Sequence, residues 1–348
     1  MKNFVLAGAA YWDKAAKGAR TQGLFSLDKA SGEWRPVTNG LPDELEVRCI
    51  ALRGADAIYV GTQHGPYRST DGGESWGRLP LPGLETVVWS ILALGAKTLL
   101  VGAQNTTIYR SDDDGASFRA LDVPTPEGAC VMAFPNRVIR MAADPANEDE
   151  IYAALEVSGV VRSLDGGESW CDCSAGLIEL ARQDRLKSQI GTKDSNEGMM
   201  DSHALLVSPS RPGTVFLANR MGLFRSPDKG ESWVEMGIGQ YSNLTYARDL
   251  RVFPHDPNTL FAALSDTAAN GPGSLYRSQD LGESWSRFDH GLSIDSTLMT
   301  VATSAATPDR IYCAARKGQV FGTEDGGKSW QEYPLPEFVQ GVYALACG

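Results

Sequence analysis

The phrase Ser-x-Asp-x-Gly-x-Ser-Trp runs through this chain and restricts it to a repeat architecture. It occurs at Ser69–Trp76, Ser163–Trp170, Ser226–Trp233 and Ser278–Trp285. Ser111–Phe118 keeps it with Phe for Trp, and Gly322–Trp330 keeps it with Thr323 in place of the first Ser. A degenerate seventh copy, Phe25–Trp34, retains Asp28, Gly32 and the closing Trp. The spacing runs from 42 residues (Ser69 to Ser111) to 63 (Ser163 to Ser226), the period of stacked supersecondary units.

Four of the copies follow an aromatic–arginine pair: Tyr67-Arg68, Tyr109-Arg110, Phe224-Arg225 and Tyr276-Arg277. That pattern reads as a strand entering a tight turn. The Asp accepts backbone N–H groups, the Ser hydroxyls do so more weakly, and the Gly supplies positive φ. The Trp anchors the turn in apolar packing. An active site occurs once or a few times, so a motif repeated six or seven times is a structural staple.

Before each box lies an aligned strand: Phe4–Gly8, Ile58–Gly61, Leu99–Gly102, Ile151–Ala154, Val215–Ala218, Leu260–Ala263 and Ile311–Ala314. Six of these have a further apolar strand upstream: Val47–Leu52, Val88–Leu94, Val138–Ala143, Ala204–Ser208, Leu250–Phe253 and Leu298–Thr303. The first unit lacks one, and Gly341–Gly348 supplies it at the other end of the chain.

These residues resemble the Asp-box, or BNR, repeat of sialidase-like β-propellers, sortilin-type receptors, xyloglucan-cleaving hydrolases and the photosystem II assembly propeller. The likeness covers nearly the whole chain. It implies an all-β fold, a seven-bladed β-propeller of four-stranded antiparallel blades. The C-terminal strand joins the N-terminal blade and closes the ring, which removes exposed sheet edges. The expected organisation is one propeller domain over residues 1–348, with a long mouth-loop insertion at about 174–203 and a shorter one at 10–22. In the families resembled, the box lies between the third and fourth strands of a blade, away from the ligand face. The chain lacks the Phe/Tyr-Arg-Ile-Pro segment of a sialidase and has seven units rather than six, so sialidase activity does not carry over. The xyloglucan-cleaving enzymes set two propellers around a cleft, and this chain has one.

The net charge of −11 argues against nucleic acid or an anionic membrane as partner. No apolar run approaches the roughly 20 residues of a membrane span. Six scattered cysteines form no CxxC motif and suit a reducing compartment, so the expected location is cytoplasmic. A strand would place Cys171 and Cys173 on one face.

Function should sit at the mouth opposite the boxes, where the repeats stop resembling one another. His203 and His64 are the histidines expected there, with Asp201, Glu156 and Asp266 as acidic partners for acid–base chemistry. His64, His203 and Asp201 are also the candidate ligands of a divalent metal, should the protein take one. Arg48, Arg140, Arg220 and Arg248 come from different blades and suit a carboxylate or phosphate, while Trp12 and Trp89 suit a sugar or aromatic ring. The 174–203 stretch reads as a lid or binding loop, with a short helix expected within 178–187. The leading expectation is a small oxygen-rich, anionic ligand, such as a sugar acid or other carboxylate, handled by a hydrolase or lyase. The alternative is a non-catalytic scaffold for a protein partner. An enclosed cavity lined by Arg48, Arg140, His203 and Arg248 favours the first, and a flat mouth with a disordered loop the second.

Overall fold

The computed structural model describes residues 3–11, 23–55, 57–83, 86–268 and 270–348. Seven four-stranded antiparallel sheets follow one another along the chain. Each innermost strand packs against the innermost strands of both neighbours, and the last pair brings blade one against blade two, so the sheets form a seven-bladed propeller. The innermost strands are Val47–Arg53, Val88–Leu94, Val138–Asp144, Ser202–Val207, Tyr246–Phe253 and Leu298–Thr303 in blades two to seven. In blade one that strand is Val342–Cys347, antiparallel to Val5–Ala9, and it closes the ring as expected.

The second strand of each blade is buried on both faces, which is why it reads as a continuous apolar run. Tyr59, Tyr152, Phe216, Phe261 and Tyr312 occupy one equivalent position there and are almost wholly enclosed between blades. Gly61 is needed for this packing, because a Cβ there would come within 2.6 Å of Val88 in the next blade.

Each repeated turn joins the third strand to the short fourth one. Asp71 Oδ1 accepts the Ser69 hydroxyl at 2.7 Å and the N–H groups of Glu74 and Ser75 at 3.0 Å. Its Oδ2 accepts the Ser75 hydroxyl, and Gly73 N–H donates to Ser69 Oγ at 2.9 Å. Gly73 takes φ +92°, in the region that favours glycine. In blade seven Thr323 supplies the hydroxyl that Ser supplies elsewhere. Sequence reading missed a second use of this turn: the arginine before it ties its blade to the next turn. Arg68 donates to Asp114 O at 2.9 Å, Arg162 to Lys229 O at 2.6 Å and to Glu231, and Arg225 to Glu283.

The turn carboxylates give acid sensitivity. Hydroxyl bonds from Ser117 and Ser169, then the N–H groups of the same residues, hold Asp113 and Asp165 at about 2, below the ordinary 3.8. A depressed carboxyl contributes stability above its unfolded value and loses it as pH falls through the folded one. The melting temperature should therefore fall between about pH 4 and pH 2. Circular dichroism melts in that window check this, and the fall should be smaller in S117A/S169A. An unchanged fall would count against the turns as its source.

Two local expectations need correction. Cys171 is exposed and Cys173 buried, because the strand ends at Asp172 and the alternation stops with it. The helix expected within 178–187 forms earlier, at Ala175–Leu180, followed by single turns at Asp184–Leu186 and Glu197–Met200.

Candidate functional site

Each innermost strand slips by one residue near its start. Val47 pairs with Thr62 and Cys49 with Gly61, so Arg48 has no partner in the ladder. The same slip frees Trp89, Ile139, His203, Arg248 and Met299 in blades three to seven, and Tyr343 in blade one. A bulge of this kind re-aims a side chain. All seven line one cavity of about 50 Å³ at the mouth opposite the repeated turns. That space suits a water molecule or two, or the head group of one small anion.

Around this ring the charges are mostly paired. Arg48 pairs with Glu46, Arg137 with Glu156 at 2.7 Å, and Arg220 with Asp201 at 3.0 Å. Glu156 and Arg220 hold equivalent places, each backbone N–H donating to the carbonyl of its ion-pair partner. Blades four and five thus carry the same pair with the charges exchanged. The guanidinium carbons of Arg48 and Arg137 lie 4.9 and 4.1 Å from the centre of the Trp89 ring. Several buried donors on residues that line this chamber lack acceptors among the described residues: Arg48 Nε and Nη1, Trp89 Nε1 and Arg140 Nε. Arg248 is distinct from the paired arginines, because its guanidinium has no hydrogen bond or ion pair to any described residue. Burial works against its charge but is outweighed by Tyr246, Tyr343, Glu156 and Asp201, which raise its pKa.

His203 is buried in the ring. Its Nδ1–H donates to Ala247 O at 2.8 Å, which fixes the tautomer and leaves the Nε2 lone pair to accept the Tyr246 hydroxyl at 3.3 Å. Asp201 Oδ2 lies 3.3 Å from the same nitrogen and stabilises the imidazolium once a proton arrives. Burial lowers the His203 pKa; Asp201 opposes that and Arg248 reinforces it. Burial would raise Asp201, but His203, Arg220 and Arg248 outweigh it and hold the carboxyl at about 2. Glu156 goes the other way, pushed up to about 7 by burial despite Arg137. Two nearby carboxyls are thus set far apart.

Asp249 lies below the ring and accepts from five groups. These are Arg140 Nη2 at 3.1 Å, Arg251 Nε at 3.0 Å, Thr300 Oγ1 at 2.9 Å, and the N–H groups of Leu250 and Val301. This cluster crosses the channel from blade four to blades six and seven. Arg140 and Arg251 line both the small chamber and a second, larger one beyond it.

The 174–203 stretch is folded over blade five. Leu177, Leu186, Met199 and Met200 join the cluster around Phe224 and Trp233. Glu197 ties the tip, accepting the N–H groups of Ile190, Gly191 (2.8 Å) and Thr192 (2.5 Å). Burial would raise its pKa, but Thr192 and these N–H groups outweigh it and lower it. Glu197→Ala should leave three donors without an acceptor, costing about 3 kcal/mol or more locally. Trypsin should then cut at Lys187 or Lys193 at least tenfold faster than in the parent, with the melting temperature little changed. Equal cleavage rates would show that the tip does not depend on this carboxylate.

Of the sequence candidates, Arg48, Trp89, Arg140, His203 and Arg248 line the cavity, with Asp201, Glu156 and Arg220 directly behind them. His64 is not brought to His203. Its Nε2 lies 3.3 Å from Glu44 O, and no group of three His, Cys, Asp or Glu side chains among the described residues is arranged to hold a metal. His64, His203 and Asp201, the candidate ligands for a divalent metal, are therefore not brought together as one set. Asp266 is exposed on its loop and outside the cavity lining, and Trp12 lies outside the described residues. Ile139, Met299 and Tyr343 were missed. In five of the seven innermost strands the bulged residue follows the first apolar position, as in Val47-Arg48-Cys49 and Val342-Tyr343-Ala344, but Ser202-His203 and Tyr246-Ala247-Arg248 break that rule.

No protein-family model matches the chain. Its sequence is similar to the oligoxyloglucan-reducing end-specific xyloglucanase of Emericella nidulans, 21% identical over 273 residues, covering 67% of this chain and 31% of that protein. The chain thus spans about a third of the length of that curated relative. Among solved structures, a putative 6-phosphogluconolactonase from Bacteroides fragilis superposes with a TM-score of 0.60 at 11% identity, covering 99% of this chain and 98% of that one. YCF48 bound to D1 peptide superposes with a TM-score of 0.55 at 17% identity, covering 88% and 86%. At these identities the structures speak for the fold alone. No helix among the described residues is long and apolar enough to cross a membrane.

Proposed function

We propose that the bulge-lined mouth binds a small carboxylate of the sugar-acid kind, and that His203 moves a proton beside it in a lyase or hydrolase reaction. The observation that carries this reading is Arg248, an arginine inside the chamber without a protein acceptor among the described residues. A guanidinium presents a planar fork of donors that matches a carboxylate. His203 is the base, with Asp201 behind it to accept the imidazolium. Glu156 and Tyr246 are the groups able to return a proton. The likeness to a polysaccharide-cleaving enzyme favours a sugar framework. The six free cysteines favour a cytoplasmic location.

A thermal-shift and calorimetric screen of uronates, aldonates, sugar phosphates and the matching neutral sugars tests this. Carboxylates should bind and neutral sugars should not. Binding should be tighter at pH 6 than at pH 8, because protonation of Glu156, whose pKa is about 7, removes a negative charge near Arg248. Equal response to neutral sugars, or no response to any carboxylate, would sink the reading. The small cavity and the peptide-bound YCF48 likeness favour a second reading, a protein partner seated across the mouth. That outcome would show as peptide binding insensitive to Arg248.

A further inference from the structure

The larger of the two chambers lies at the other end of the channel, on the face of the repeated turns. It holds about 490 Å³, within the range of small-molecule sites. Most of its lining side chains are aliphatic, Leu52, Leu92, Leu205, Val252 and Leu345 among them, and polar atoms share the exposed wall with them. Leu52 is 37% exposed, unusual for a leucine beside a channel. Among the described lining residues, Thr303 and the Cys347 thiol are the only polar side chains besides Arg140 and Arg251.

Those two arginines form the inner end, where the chamber meets the smaller one. They share a single carboxylate, Asp249, so one positive charge is left over. Asp249 takes only Nε of Arg251, and both Nη groups of that guanidinium have no acceptor among the described residues. The Arg251 side chain is 34% exposed. In a chain of net charge −11, an uncompensated cation at the end of an apolar funnel selects for charge as well as greasiness. From Arg251 to the end of its strand at Phe253, and to Thr303 and Cys347 alongside, the funnel descends about 7 Å at about 3.3 Å per residue.

We propose that this chamber binds an aliphatic monocarboxylate of medium length, its carboxylate on Arg251 and its alkyl chain in the funnel. The bound anion brings the Arg140–Asp249–Arg251 cluster to neutrality. The chain displaces water from wall residues that now face it. This site is separate from the mouth that carries Arg248 and does not depend on any reaction there.

The test is titration calorimetry of the full chain with hexanoate, octanoate and decanoate, each below its aggregation concentration, and with 1-octanol and octanamide. Affinity should rise about threefold to fourfold per added methylene, the gain from burying each one. Octanol and octanamide should bind at least tenfold more weakly than octanoate. Arg251→Gln should lose at least tenfold for octanoate while leaving octanol unchanged. Ala142→Phe, which fills the wall, should weaken octanoate, and Arg248→Met should not. If either variant fails to fold, the comparison of octanoate with octanol in the parent protein still decides. No heat with octanoate at millimolar concentration, equal binding of octanol, or loss of octanoate in Arg248→Met would each overturn the proposal.

Discussion

Replacing Asp249 with alanine is expected to lower the melting temperature by about 5 °C. The carboxylate is buried and accepts five bonds from three blades. Removing it leaves the guanidiniums of Arg140 and Arg251 facing each other without an anion, along with two N–H groups and a hydroxyl lacking their acceptor. Breaking a buried pair from one side costs about 3–5 kcal/mol. A chain of this length gains about 0.7 kcal/mol/K of entropy on unfolding, and the ratio gives the shift. Burial would raise the Asp249 pKa; Arg251 and Arg140 outweigh it and keep the group ionised. Asp249→Asn keeps the shape and loses the charge, so it should fall between parent and alanine variant. Scanning calorimetry on the three proteins decides. A shift under 1 °C for Asp249→Ala would show that the cluster is dispensable.

Arg248→Met should have the opposite profile: little change in melting temperature and about a 100-fold loss of affinity for a carboxylate ligand at the mouth. That factor corresponds to about 2.7 kcal/mol, in keeping with a charge-assisted bidentate contact. The fold is spared because no described residue depends on this guanidinium for a hydrogen bond. Arg248→Lys should restore only part of the affinity, since an ammonium cannot offer the planar fork. Calorimetric titration with the best carboxylate from the screen makes the measurement. Unchanged affinity in Arg248→Met would remove the basis of the proposed function.

Asp249 and Arg248 are neighbours in sequence. The structure separates them by a slip of one residue. Arg248 is the bulge and faces the small chamber, while Asp249 returns to the ladder opposite Ala263 and is sealed among donors. Arg140 moves in the same way, because the bulge falls on Ile139 and places it one step deeper than Arg48. The fold was legible because the turn chemistry and the buried second strands are local and repeated. A bulge leaves no mark in hydrophobic alternation, since an extra residue looks like any other. Depth along the channel was therefore unreadable, and with it the division of arginines between chambers. Glu197 was invisible for a related reason: its partners are backbone N–H groups, which no residue pattern records. His64 does not join His203 because its ring folds back onto Glu44 O.

The seven bulged residues also carry a consequence for variation. Each stands outside the ladder that holds its blade, so its identity is largely uncoupled from sheet pairing. Together they amount to seven addresses on one rim, each open to substitution while the scaffold keeps its shape. Randomising Ile139, Met299 and Tyr343 together should yield folded proteins at high frequency, whereas the same exercise at Val138, Leu298 and Val342 should not. A ring built this way can acquire a new ligand by rewriting its rim.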